Sequence, residues 1–187
     1  MKLLCFVGVL VSLTNLAVGQ QCIRISSFSA VALDTLNFVP SRAYYDVDNG
    51  YVYFKNNGND GAQLVDFNVG AIYEKASDGS CVKYESDDLK LQGLGVPALI
   101  AATKNILTFT DISGVTREGK SITSGSLVIK DVFTSQCFNY FVSFTFNNEI
   151  KWAYLFIRPQ TLSAADLQTV QTAVQAFEAD SCTSTAI

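Results

Sequence analysis

The sequence contains no histidine. That absence removes Ser-His-Asp and Cys-His relays, histidine-based zinc sites and haem ligation through imidazole. It contains no Asn-x-Ser/Thr acceptor, so N-linked glycosylation is not expected. There is no Cys-x-x-Cys pair and no Gly-x-Ser-x-Gly elbow, and Asp34-Thr35 runs into Leu36 instead of the glycine of an aspartic-protease triplet. Charge is sparse at 16% of the chain, and acidic residues outnumber basic ones, 17 to 13. A net charge of −4, more negative by one once Lys2 is lost with a leader, argues against nucleic acid and anionic membrane surfaces as partners. Pairs of carboxylates of the kind glycosidases use occur in any acidic chain and carry no specific signal. No enzyme is expected.

What is present points to secretion. Residues 1–19 read as a signal peptide: Lys2 supplies the positive start, Leu3 to Leu13 an apolar core, and Ala17-Val18-Gly19 small residues at a cleavage site. Thr14-Asn15 interrupts the run, which is short for a membrane anchor, and no later stretch is long and apolar enough to span a bilayer. The expected product is a single domain over residues 20–187, with no transmembrane anchor. Cleavage takes Cys5 and leaves Cys22, Cys81, Cys137 and Cys182, an even set that implies two disulfides with three pairings open.

Residues 43–84 are the organising stretch. Asn49-Gly50 lies between two strand-like runs and predicts a two-residue hairpin turn. Asp48 then faces Tyr51 and Tyr45 faces Phe54. One face carries Tyr45, Val47, Val52 and Phe54; the other, solvent-facing, carries Tyr44, Asp46, Asp48, Tyr51, Tyr53 and Lys55. Leu64–Phe67, Val69–Tyr73 and Cys81–Tyr84 extend this into an antiparallel meander. Cys22 to Phe28 alternates like a first strand, and residues 29–40 fit either a strand or a helical turn. Pro97 opens a possible short helix. Ile106–Ile112 and Leu127–Phe133 read as strands, and Ser113–Gly125 as an exposed connection.

Residues 137–157 carry two aromatic strands joined by an Asn147-Asn148 turn. Phe138, Tyr140, Val142, Phe144 and Phe146 share one face; Trp152, Tyr154 and Phe156 share another, opposite Ala153, Leu155 and Ile157. The period then changes. Ser163-Ala164-Ala165-Asp166 is a capping box, with Leu162 and Leu167 as its staple, and Leu167, Val170, Val174 and Phe177 recur at helical spacing. An amphipathic helix packed on the sheet follows, with the last five residues fraying.

This order of features resembles the ependymin-related family of secreted proteins. The matching segments are Tyr45-Asp46-Val47-Asp48-Asn49, Phe67 to Tyr73 leading to Cys81-Val82-Lys83, Val96-Pro97, Cys137-Phe138, and Phe177 with Cys182. The chain departs from the family pattern at Asn139, where proline is usual. The resemblance implies an α+β fold: a curved antiparallel β-sheet, a half-barrel like that of bacterial lipoprotein carriers, with a C-terminal amphipathic helix packed on it and an apolar pocket between them for a lipid or other hydrophobic ligand. It also implies bridges Cys22–Cys137 and Cys81–Cys182, and it brings calcium binding, homodimers and a cell–matrix adhesion role as family traits.

Three readings of function remain open. Strand 150–157 is apolar on both faces, and one helix covers only part of that surface, so the surplus faces a ligand, a partner or a second layer. Phe109, Phe144, Trp152 and Phe156 are the expected pocket lining, with Tyr154 orienting a polar head. An adhesive homodimer through the apolar strand face is the second reading. A lipocalin-like carrier is the third, although the Gly-x-Trp signature is missing because the single tryptophan is Trp152. No cofactor is required. Asp46, Asp48 and Asp60 are oxygen ligands of the kind calcium takes, but Gly50 falls one position early for an EF-hand and Asn57 stands where its closing Glu belongs. A solvated hairpin face is the plainer reading of these aspartates.

Overall fold

The computed structural model describes residues 27–57, 61–86, 89, 105–110, 116–124, 127–133 and 139–186. The N-terminal half supplies β1 (Phe28–Asp34), β2 (Pro40–Asp46), β3 (Tyr51–Asn56), β4 (Ala62–Asp66), β5 (Ala71–Lys75) and β6 (Cys81–Glu85). The C-terminal half supplies β7 (Asn105–Thr110), β8 (Thr116–Ser124), β9 (Leu127–Phe133), β10 (Asn139–Phe146) and β11 (Glu149–Thr161). Helix α1 (Ala164–Ala179) and β12 (Thr183–Ala186) close the chain. The strands form one sheet in the order β12-β6-β5-β4-β3-β2-β1-β11-β10-β9-β8-β7. Two antiparallel meanders, β1 to β6 and β7 to β11, are thus joined by the pairing of β1 with β11. This is the α+β curved sheet with a C-terminal helix that the sequence implies.

The turns explain where the chain folds back. In the β2–β3 hairpin Tyr45 pairs with Val52 and Asp46 with Tyr51, a register two residues from that of a two-residue Asn49-Gly50 turn. Asp46 is the cause. Its carboxylate accepts hydrogen bonds from the Asn49 backbone N–H at 3.3 Å and side-chain amide at 2.8 Å, which closes a longer loop ending in Gly50 at φ +75°. An even shift keeps every side chain on its expected face. The same Asp-x-x-x-Gly device recurs between β4 and β5, where Asp66 accepts from Asn68 N–H at 2.9 Å and Gly70 sits at φ +71°. Asn147 and Asn148, by contrast, do form a two-residue turn, both with positive φ and flanked by the Phe146–Glu149 pair.

One open reading is resolved and two further expectations are corrected. Residues 29–34 are strand and not helix, because β1 is held between β2 and β11. Part of the supposed exposed connection 113–125 is β8, whose backbone pairs with both β7 and β9 although its side chains show no apolar alternation. The C-terminal residues do not fray: β12 adds in parallel to the free edge of β6, beside the Cys81–Cys182 disulfide. The Pro97 segment, Cys22, Cys137 and Asp60 lie outside the described residues.

The sheet curls strongly. Adjacent strands lie about 4.8 Å apart, so β3 and β11, three places apart, would be about 14 Å apart in a flat sheet. Instead the Phe54 and Tyr154 rings stack with centroids 3.9 Å apart. Tyr84 on β6 meets Trp152 on β11, six places away, at 5.4 Å. These contacts define the concave side. Phe28, Tyr45, Phe54, Tyr154 and Phe156 fill it with edge-on and stacked ring pairs, and Val47, Phe67 and Leu89 close the end where the Asp-x-x-x-Gly turns lie.

Helix α1 lies on the convex side. It buries Val170, Ala173, Val174 and Phe177 against Tyr53, Leu64 and Tyr73. Tyr53, which alternation alone would leave half-wet, is therefore only 8% exposed. Burial of each large side chain contributes about 1.5–3 kcal/mol. Ser163 and Asp166 form the expected reciprocal capping box. Asp166 also accepts from the Ser29 hydroxyl at 3.2 Å, which ties the helix start to β1. At the other end Lys75 pairs with Asp180 at 2.8 Å, and Cys182 bonds Cys81 across a separation of 101 residues.

Candidate functional site

Among the described residues the concave side is closed at one end and open at the other, where the β1–β2 loop, the end of β3, the start of β4, the end of β5 and the start of β11 meet. A cavity of about 370 Å³ opens there. It is not the space between sheet and helix: that interface is packed, with only shallow open grooves along its edges, lined for example by Asp46, Tyr51, Gln175 and Glu178 or by Lys55, Gln168 and Thr172.

Five strands place the polar groups of the mouth. On β11, the alternation that sends Phe156 into the core brings Tyr154 and Trp152 to the cavity wall. On β4, Gln63 is the inward residue opposite Glu74 of β5, a cross-strand pair on one face. Glu74 is in turn opposite Val82 of β6, and Tyr84 leans over from the same strand. On β1, Asp34 is the inward residue opposite Tyr154. Asn37 and Asn56 complete the rim.

The hydrogen bonding of this group is uneven. Tyr154 donates its hydroxyl to Gln63 Oε1 at 2.9 Å, a buried bond. Burial, then the nearby Asp34 and Glu74 charges, push that phenol far above its ordinary pKa, so it stays protonated and donating. Gln63 is 5% exposed, and its Nε2 has no hydrogen-bond partner among the described residues. Glu74 keeps contact with solvent through the mouth. Even so, the surrounding protein raises its pKa by desolvation, partly offset by hydrogen bonds from the Tyr84 and Trp152 side chains, while the Asp34 charge adds to the rise. The Asp34 carboxylate folds its own loop, accepting from Leu36 N–H at 2.8 Å, Asn37 N–H at 3.2 Å and the Asn37 amide at 2.8 Å. Thr35 anchors that loop to β11 through Ala153 O. At its tip Phe38 takes φ +57° and stands 75% exposed, an apolar ring held out at the rim in a conformation bulky residues avoid.

Of the expected lining residues, Trp152 and Tyr154 border the cavity. Phe156 lies behind them, stacked with the core rings, and Phe144 is buried in the same inner cluster. Phe109 is placed on β7, opposite Arg117, with its side chain outside the described residues. Sequence reasoning missed Gln63, Glu74 and Asp34, since none stands in a motif. The available signal was polarity at inward positions: Gln63 and Glu74 occupy the core face of otherwise apolar strands. Of the calcium candidates, Asp46 is buried and spends its carboxylate on its own turn, and among the described residues no three Asp, Glu or Cys side chains converge on a metal position.

The groups assembled at the mouth can hold a ligand by hydrogen bonding and apolar contact. No helix among the described residues is long and apolar enough to cross a membrane. No family model matches the sequence, and neither does any curated protein.

Proposed function

We propose that the protein is a secreted, extracellular binding protein that carries a small, largely apolar organic ligand non-covalently at the mouth of its curled sheet. The observation that supports this most is the cavity itself: about 370 Å³, bounded by the rings of Trp152, Tyr154 and Tyr84 and by a larger set of polar and charged side chains, and opening beside an aromatic core, in the size range of small-molecule sites. The apolar part of the ligand lies against the rings and its polar head meets Gln63 and Glu74. Burial of apolar surface at about 25 cal/mol per Å² supplies the affinity. The ependymin resemblance is compatible with this reading: the curved sheet, the C-terminal helix and the Cys81–Cys182 bridge it implies are all present. Lipid carriage, calcium-linked adhesion and the Cys22–Cys137 bridge are further parts of that proposal.

An adhesive homodimer is favoured by one separate observation. Val31 and Ile157 pair across β1 and β11 on the convex side, 37% and 45% exposed, beyond the reach of α1. Sedimentation over a concentration series separates the two readings: a strict monomer removes the dimer.

The test of the carrier is mass spectrometry of an organic extract from protein secreted by a eukaryotic host. One organic molecule per chain is the expected result. An empty extract from folded, disulfide-intact protein that also takes up no added small molecule would overturn the carrier reading.

A further inference from the structure

The mouth contains more hydrogen-bond donors than acceptors at its inner wall, and of its two carboxylates and two lysines only the lysines have ion-pair partners among the described residues. The first imbalance belongs to Gln63 and Tyr154. With the Tyr154 hydroxyl donating to Oε1, both amide hydrogens of Gln63 lack an acceptor. Turning the amide over does not cure this: one amide hydrogen then reaches the phenol oxygen, while the other and the phenol hydrogen are left over. A buried donor without an acceptor is costly and calls for an explanation. Here the side chain carrying it is 95% buried by area and borders an open cavity.

The second imbalance belongs to Asp34 and Glu74. Two lysines also border the cavity, but each is matched by a carboxylate outside it: Lys75 with Asp180 at 2.8 Å and Lys151 with Glu149 at 2.7 Å. Among the described residues Asp34 and Glu74 have no such cation, only neutral donors. A metal ion does not fit, since among the described residues no third Asp, Glu or Cys ligand converges there. An anionic head, such as a fatty-acid carboxylate, is repelled by both groups.

We propose that the ligand is a small organic amine that also carries an oxygen acceptor, its ammonium held between the Glu74 and Asp34 carboxylates and its oxygen taking the amide hydrogens of Gln63. Gln63 and Glu74 are directly opposite across β4 and β5, so an acceptor two or three bonds from the nitrogen spans them. The body of the molecule lies against Trp152 and Tyr84. This rests on the reading of the mouth as a ligand site and names the ligand class.

The pH dependence follows from the groups that face Glu74: Asp34 from β1, Tyr84 from β6, Tyr154 and Lys151 from β11, with Lys75 on its own strand. Burial raises the pKa of both Tyr84 and Tyr154, so they stay neutral, and acid release follows Glu74. Binding is full while Glu74 is ionised and is lost as pH falls through its raised pKa, above the ordinary value of 4.5.

The test is isothermal titration with 2-amino-1-phenylethanol, which has an ammonium, a hydroxyl two carbons away and a ring. Phenethylamine, the N-acetyl derivative and octanoate serve as comparisons. One-to-one binding is expected, weakened about tenfold or more by loss of the hydroxyl, by acetylation and by Glu74→Gln. In Gln63→Met both amines should still bind, each with about the affinity that phenethylamine has for the natural chain, whereas a misfolded variant would bind neither. If the acetylated compound or octanoate binds as tightly as the amine, the amine assignment is overturned while the ligand site stands. If none of the four binds and the extract of the secreted protein is also empty, both fail.

Discussion

Phe54 and Tyr154 stack at 3.9 Å across three strand positions, and both are almost fully buried. Phe54→Ala should therefore cost about 3–5 kcal/mol in urea unfolding, because the curl holds the neighbouring rings apart and the hole cannot collapse. The glycines offer a comparison at the same scale. Gly50 and Gly79 both have positive φ, but a methyl group on Gly50 meets the Asn68 side chain at 3.0 Å, whereas one on Gly79 meets nothing within 4 Å. The Asn68 amide is pinned to Asn49 O at 2.8 Å and cannot give way easily. Gly79→Ala should cost about 1 kcal/mol for its backbone alone, and Gly50→Ala clearly more. The mouth behaves differently. Gln63→Met together with Tyr154→Phe removes both members of the underbonded pair, so the double variant should be at least as stable as the natural chain while binding less ligand. Equilibrium unfolding of that variant measures what the site costs the fold.

At the scale of elements, helix α1 is attached at both ends. Asp166 caps it, and although partial burial works against its charge, hydrogen bonds from Ser163 and Ser29 and the Arg42 charge together hold its carboxyl below the ordinary value of 3.8. The sign is that of a depressed acid: the contribution is complete above the unfolded value and disappears as pH falls through the lower folded one. Ser163→Ala should lose about 1 kcal/mol at neutral pH and flatten this acid limb of the stability curve. Reduction of Cys81–Cys182, which closes a long loop, should cost about 2–4 kcal/mol. Hydrogen exchange should then show β12 released before the strands of the inner core. The helix was legible because its cap, staple and apolar spacing agree. The faces of the hairpin were legible from alternation. Its register was not, because Asp46 and not Asn49-Gly50 sets the turn length. β8 and β12 were not legible either, since they are recruited by neighbouring backbones and their own side chains carry no pattern.

At the scale of the molecule, curvature makes the site. Trp152, Tyr154, Gln63, Glu74 and Asp34 come from four strands spread over much of a flat sheet, and they share one cavity only because the sheet bends around the Phe54–Tyr154 contact. The sequence showed the aromatic half of the site, since Trp152 and Tyr154 belong to a strongly periodic strand. It hid the polar half, because Gln63 and Glu74 become neighbours of Tyr154 only after the curl closes. The chain has one tryptophan, and it borders the mouth. Titration of Trp152 fluorescence with 2-amino-1-phenylethanol, run beside calorimetry on the same sample, is therefore the most direct measurement. The predicted result is a saturable change in emission that follows the heat of binding and is lost in Glu74→Gln. Heat of binding with unchanged Trp152 emission would place the ligand elsewhere and contradict the account.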